Sequence, residues 1–75
     1  MIRKFKGPKE YQDFVVSLLK RNGVPGHSAS VYEHVHDTGY PGLVVPYTYV
    51  DLYISDDELE RKIAKMLEDI GFKER

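Results

Sequence analysis

The central part of the chain alternates between aliphatic and polar or ring-bearing side chains, and this alternation restricts the fold more than any other feature. In residues 27–36 the aliphatic side chains share one parity, and serines, a tyrosine and histidines share the other. In residues 44–54 the even positions are mostly aliphatic, and tyrosines recur at the odd ones. Because successive side chains of a strand point to opposite faces of a sheet, the pattern predicts two half-buried strands. The Gly- and Pro-containing residues 37–42 between them predict turns.

Proline affects where the second of these strands begins. Pro46 cannot donate a hydrogen bond to a ladder, so it predicts an edge, a bulge or a break before a regular strand at about 48–54. The partner strand is predicted over 27–36. Residues 2–6 allow a further short strand at the start, although Ile2 and Phe5 do not share a parity.

A first amphipathic helix is predicted over residues 8–22, before the alternating region. Pro8 suits the first helical position, where its missing N–H costs nothing. Gly23 supplies a left-handed cap after the last turn. The apolar stripe at helical spacing comprises Tyr11, Phe14, Val15, Leu18 and Leu19.

A second amphipathic helix is predicted after the alternating region. Ser55 and Glu58 have the spacing of a capping box, which makes Ser55 the predicted N-cap. Gly71 ends the helix, and Phe72 can fold back onto it. The apolar stripe comprises Leu59, Ile63, Met66, Leu67 and Ile70.

The resulting element order, β-α-β-β-α, predicts the α+β class. Two amphipathic helices need an apolar sheet face to cover, and the aliphatic side of the hairpin provides one. We therefore expect a two-layer domain with both helices on one face of a small sheet, and a single domain over residues 1–75. A core of this size contributes only about 3–5 kcal/mol of stability. The side chains expected on the covered face are Val31, Val35, Val50, Leu52 and Ile54.

Composition excludes several classes of function. The chain has no cysteine, which excludes disulfides and thiolate chemistry. Its formal net charge of −1 gives no global positive field toward nucleic acid or an anionic membrane. The longest apolar run, Leu43-Val44-Val45, is too short for a membrane span, and the start of the chain lacks the apolar segment of a signal peptide. We therefore expect a cytoplasmic protein that does not bind membranes.

The uncovered sheet face is the predicted binding surface. Few charges and many tyrosines are typical of an interface core, although tyrosines also occur on ordinary solvated sheets. Self-association is the leading interpretation, because a small core gains stability when its open face is buried; another protein is the next. The side chains that parity places on this face are Tyr32, His34, His36, Tyr47, Tyr49, Asp51 and Tyr53.

Single-stranded nucleic acid is a possible but less favoured partner. Bases can stack on exposed aromatic side chains. The sequence offers no matching basic groove, however, since its main cluster of cations lies at the start of the chain. We interpret that cluster as a solvated end rather than a phosphate site; its members are Arg3, Lys4, Lys6 and Lys9.

The histidines allow metal binding or catalysis without requiring either. His34 and His36 lie about 6.5–7 Å apart on one strand face, and Asp37 or Asp51 could complete a divalent metal site. Two ligands are too few to predict one, so solvated or interface histidines are favoured, and their titration between about pH 5 and 8 could modulate an interface.

His34 with Tyr32 and Asp51 could in principle cleave RNA by acid–base chemistry. No nucleophile elbow, phosphate loop or dinucleotide fingerprint is present, and we predict no cofactor, no metal and no catalytic residue.

Two junctions resemble those of a small family of prokaryotic signal-transducing proteins with a GlnB-like ferredoxin half-fold. The segments 18–25 (LLKRNGVP) and 50–59 (VDLYISDDEL) are similar to the step after its first helix and to its last strand running into an acidic helix start. The insert 44–49 (VVPYTY) departs from the family pattern. The resemblance implies regulation or interaction rather than a reaction.

Other segments are similar to HicA-type ribonuclease toxins, whose fold resembles double-stranded-RNA-binding domains. The similar blocks are 18–23 (LLKRNG), 44–46 (VVP) and 63–72 (IAKMLEDIGF). Residues 31–34 (VYEH) stand where the Gly-Ser-His-type catalytic segment of that family falls, and that segment is absent here. This resemblance implies RNA binding or cleavage, with His34 in the catalytic role.

Overall fold

The fold is given by a computed structural model that describes residues 2–75. Its elements are β1 (Arg3–Pro8), α1 (Gln12–Arg21), β2 (Ala29–Asp37), β3 (Val44–Leu52), α2 (Asp57–Asp69) and β4 (Lys73–Glu74). Short 3-10 turns at Lys9–Tyr11 and Gly26–Ser28 precede α1 and β2. Neither helix of the described part is long and apolar enough to cross a bilayer.

The four strands form one sheet in the order β2-β3-β1-β4, and every neighbouring pair is antiparallel. Val50 of β3 stands between Val31 of β2 and Phe5 of β1. β1 and β2 therefore run parallel to each other with β3 between them. The predicted two-layer α+β class is confirmed.

Both helices pack on one face of this sheet and form the hydrophobic core. The completely buried side chains of the sheet include Phe5, Val50 and Leu52, which meet Val15 of α1 and Ile63 of α2 in one cluster. The predicted alternation is therefore realised where the helices cover the sheet. Toward its turn the hairpin extends beyond the helices, and large apolar side chains there are exposed: Val35, Tyr40, Leu43 and Val44.

Pro46 lies within β3, in unbroken register with β2, so of the three predicted alternatives the bulge and the break are wrong and a local edge describes its position. Tyr53 N–H donates to Ser28 O at 2.8 Å, so the odd positions of β3 are those hydrogen-bonded to β2. The even position 46 then points its nitrogen toward the β1 side. β1 ends at Pro8, opposite Tyr47, so no β1 acceptor faces Pro46, and its missing N–H disrupts no ladder bond.

The predicted start of the first helix at Pro8 is wrong. Pro8 is the last residue of β1, and α1 begins at Gln12 after a 3-10 turn. Only part of the predicted stripe is buried: Val15 is fully buried, whereas Tyr11 and Phe14 are exposed and lie near each other. The helix therefore contacts the sheet through a narrower stripe than its periodicity suggested.

Asp56, not Ser55, caps α2, which corrects the predicted cap by one residue. Asp56 Oδ1 accepts hydrogen bonds from the backbone N–H of Glu58 at 3.0 Å and of Leu59 at 3.1 Å. Asp and Ser are both good N-caps, so the sequence alone left the register ambiguous. After the helix, Gly71 adopts φ 99°, and the chain then forms β4, a strand that the sequence did not predict.

Candidate functional site

The sheet face opposite the helices, called the open face below, carries the predicted site. Its cross-strand pairs include Tyr32 with Tyr49 and His34 with Tyr47. Directly opposed residues in an antiparallel pair project to the same face, so the hairpin brings these four rings together. Tyr53 lies just beyond the end of β3 with its side chain exposed, and it takes no part in the ring contacts described next.

The rings of the open face form one continuous array. His34 stacks on Tyr49, with ring centroids 4.4 Å apart and an interplanar angle of 15°. Tyr32 meets Tyr49 edge-on at 5.8 Å, and His36 meets Tyr47 edge-on at 6.2 Å. His34 and His36 lie 6.3 Å apart and connect the two halves. These are the offset and edge-to-face geometries that aromatic pairs prefer, so neighbouring rings limit one another's rotamers.

Asp51 anchors one end of the array. Its carboxylate is nearly buried and accepts hydrogen bonds from Tyr32 Oη at 3.0 Å and from the guanidinium of Arg75. Arg75 also donates to Phe5 O at 3.1 Å, and its Cζ lies 3.8 Å from the centroid of the Tyr49 ring. A buried charge is costly unless it is paired and hydrogen-bonded, so Asp51 serves here as a structural acceptor.

Cations from β1 and β4 border the rings, which the sequence interpretation missed. Lys4 pairs with Asp51 across the ladder, Lys6 pairs with Tyr49, and Lys73 pairs with Lys6. Lys6 Nζ lies 4.2 Å from the centroid of the Tyr47 ring. A shallow hollow of about 420 Å³ beside Tyr47 is lined in part by Lys6 and Lys73. One signal was available, because Lys4 and Lys6 share a parity opposite to that of Phe5.

Arg3, the first cation of the same cluster, has the other parity and lies on the helix-covered side. It donates two hydrogen bonds to Glu74, at 3.1 Å from Nε and 2.8 Å from Nη2. The hydrogen bond from Arg3 lowers the pKa of Glu74 below its ordinary value and raises that of Arg3. The cluster that looked continuous in the sequence is therefore divided between the two faces, and part of it lies beside the tyrosines.

The open face does not assemble the groups considered for acid–base chemistry. Tyr32 and Asp51 are hydrogen-bonded to each other, while the ring of His34 lies flat on Tyr49. No hydrogen bond links His34 to Asp51 among residues 2–75. Nor does this part of the chain contain three His, Asp or Glu side chains grouped to hold a metal ion.

Comparison with known proteins adds no relative to this picture. No protein-family model matches the chain, and no curated protein matches it. The likeness to signal-transducing proteins and the likeness to HicA-type toxins therefore stay predictions.

Proposed function

We propose that the protein is a small non-catalytic interaction module, of a regulatory kind, that binds its partner through the open face. The observation that supports this most is the ring array itself. Tyr32, His34, His36, Tyr47 and Tyr49 lie in mutual contact on a sheet face that neither helix covers. In this proposal the module acts in the cytoplasm, on a second copy of itself or on another macromolecule.

The physical argument concerns the cost of binding. Tyrosine offers a large contact area and loses little side-chain entropy when it is immobilised. Here the neighbouring rings and Arg75 already restrict the tyrosines, so part of that cost is met before a partner arrives. This restriction of the tyrosines favours a recognition surface, rather than an ordinary solvated sheet face, as the interpretation of the open face.

The ribonuclease alternative, with His34 as its catalytic residue, has less support. A general base must reach the proton that it abstracts, and a charge partner normally orients it. His34 is instead packed on Tyr49, and Arg75 engages Asp51, the carboxylate considered as its partner. Incubation with RNA is the direct test of this alternative: intact RNA supports the module, and cleavage lost in His34→Ala would support the nuclease.

Site-specific photo-crosslinking in living cells tests the proposed surface. The photoreactive residue p-benzoylphenylalanine replaces Tyr47 in one variant and Phe14 in another. Phe14 is a matched control, since it is an exposed aromatic side chain on α1, in the opposite layer. We expect adducts from the Tyr47 position and few from the Phe14 position. Equal yields at the two positions, or none at Tyr47, would contradict the proposal.

A further inference from the structure

The charges of the chain are unevenly divided between the two sides of the sheet. Within residues 2–75 the open face carries Lys4, Lys6, Lys73 and Arg75, and its one side-chain carboxylate, Asp51, is already paired with Arg75. The acidic residues of β2, Glu33 and Asp37, have the other parity. The rings therefore lie in a locally positive field, although the whole chain has a formal net charge of −1.

The positions of the cations relative to the rings suit a chain of phosphates and bases. Lys6 Nζ lies over one face of the Tyr47 ring, and Lys73 is the neighbour of Lys6 on β4. The accessible rings, among them His34 and His36, lie on the adjacent strands β2 and β3. A backbone running along β1 and β4 would place its bases over these rings, which is the arrangement of stacking platform and cationic track that single strands require.

The same geometry argues against a duplex as the ligand. Stacking on a protein ring needs a free π-face on the base, and bases inside a duplex have both faces occupied. An acidic protein would satisfy the lysines, but it would leave the rings without stacking partners.

We propose that the open face binds single-stranded nucleic acid, with Lys4, Lys6 and Lys73 contacting phosphates and Tyr32, His34, His36 and Tyr47 stacking on bases. This inference rests on the proposed function, since it names the partner of the same surface. Tyr49 has a supporting role, because it is held between His34 and Arg75.

The test is fluorescence anisotropy of the purified full chain with labelled 12-nucleotide oligouridine, oligothymidine and a 12-base-pair duplex. We expect both single strands to bind and the duplex to bind at least tenfold more weakly. The oligouridine and oligothymidine arms distinguish RNA from DNA as the preferred strand. Three phosphate contacts predict a slope of about −2 for log affinity against log salt, or roughly a fifteenfold loss between 50 and 200 mM salt.

Matched variants localise the binding. Lys6→Gln should weaken binding and make the salt slope shallower by about 0.7, whereas Lys62→Gln, on the exposed side of α2, should change neither. Tyr47→Ala and His36→Ala should each weaken binding at least about fivefold, as expected for the loss of one stacked base, with Phe14→Ala as the aromatic control. Circular dichroism of each variant separates loss of binding from loss of fold; His36 is exposed, so its variant keeps the test decisive if Tyr47→Ala unfolds.

The outcomes separate this inference from the proposed function. If neither single strand binds at 50 mM salt, or if Lys62→Gln weakens binding as much as Lys6→Gln, nucleic-acid binding by the open face is refuted. If the crosslinks from position 47 then contain only protein, the proposed interaction module is still supported, with a protein as its partner. Single-strand binding that survives Lys6→Gln, Tyr47→Ala and His36→Ala together would place the site elsewhere and also refute the inference.

Discussion

The two faces of β3 differ in what holds their side chains in place. On the helix-covered face Thr48, Val50 and Leu52 are completely buried. On the open face Tyr47 and Tyr49, from the same strand, remain partly accessible and are held by ring and cation contacts. One nine-residue strand thus supplies both a core and a surface that is organised without being covered.

The two faces of β3 contribute unequally to the free energy of unfolding. Full burial of an aliphatic side chain contributes about 1.5–3 kcal/mol, whereas an exposed cation–π contact contributes about 0.5–1 kcal/mol. The covered face therefore dominates the free energy of unfolding. We expect the open face, apart from Asp51, to tolerate substitution, which leaves its composition free to serve recognition.

The largest expected effect is the loss of stability in Leu52→Ala, for which Tyr47→Ala is the comparison on the open face. Truncating Leu52 removes buried methyl groups and leaves a cavity, so we expect a loss of about 2–5 kcal/mol. A domain of this size has only about 3–5 kcal/mol to lose, and much of the variant should be unfolded at 25 °C. Tyr47→Ala should lose about 1 kcal/mol or less, since it removes an exposed cation–π contact. Urea denaturation followed by circular dichroism measures both, and equal losses would remove the distinction between the faces.

Asp51 is the exception within the open face, because its carboxylate is nearly buried. Asp51→Ala removes the acceptor for both Tyr32 and Arg75, and we expect a loss of about 1.5–3 kcal/mol in the free energy of unfolding. Glu33→Ala, an exposed carboxylate on the same hairpin, serves as the control and should stay within about 0.5 kcal/mol. Similar values for the two variants would show that the Asp51 network contributes no stability.

Adding volume to the covered face should lower the free energy of unfolding, as removing volume does. A Cβ at Gly7 would lie 2.5 Å from atoms of the Phe72 ring, and such overpacking costs about 1–3 kcal/mol. Truncating Phe72 to alanine removes the Cγ and Cδ atoms that the new methyl group would meet, so Gly7→Ala should be much less destabilising in a Phe72→Ala background. A double-mutant cycle by urea denaturation measures this coupling. Additive effects would mean that the ring is not the obstacle.

The smallest expected effect concerns the Arg3–Glu74 pair at the border of the covered face. The hydrogen bond from Arg3 lowers the pKa of Glu74 below its ordinary 4.5 in the folded state. The pair therefore stabilises the fold above that value, and the stabilisation is lost as the pH falls through the folded pKa. Because both side chains are partly exposed, Glu74→Gln should cost less than about 1 kcal/mol at pH 7. The difference from the unsubstituted protein should vanish near pH 2, and a difference that grows in acid would contradict this account.

Much of the open face could be predicted from parity alone. The alternation of Val31 with Tyr32 and of Val50 with Tyr49 fixes which side chains share a face once the strands pair. The cations could not be assigned in the same way. Whether Lys6 lies beside the tyrosines depends on β1 pairing with β3, a contact between residues more than forty positions apart in the chain.

Local pattern by itself determined the two helices, the hairpin and the separation of aliphatic from ring-bearing side chains, because helix and strand periodicities are set by neighbouring residues. The tertiary structure decided the strand order and the inclusion of Pro46 in β3. It also decided that four cations meet on the open face: Lys4, Lys6, Lys73 and Arg75. Those features depend on long-range pairing and on where a neighbouring strand stops. No local periodicity encodes either of these.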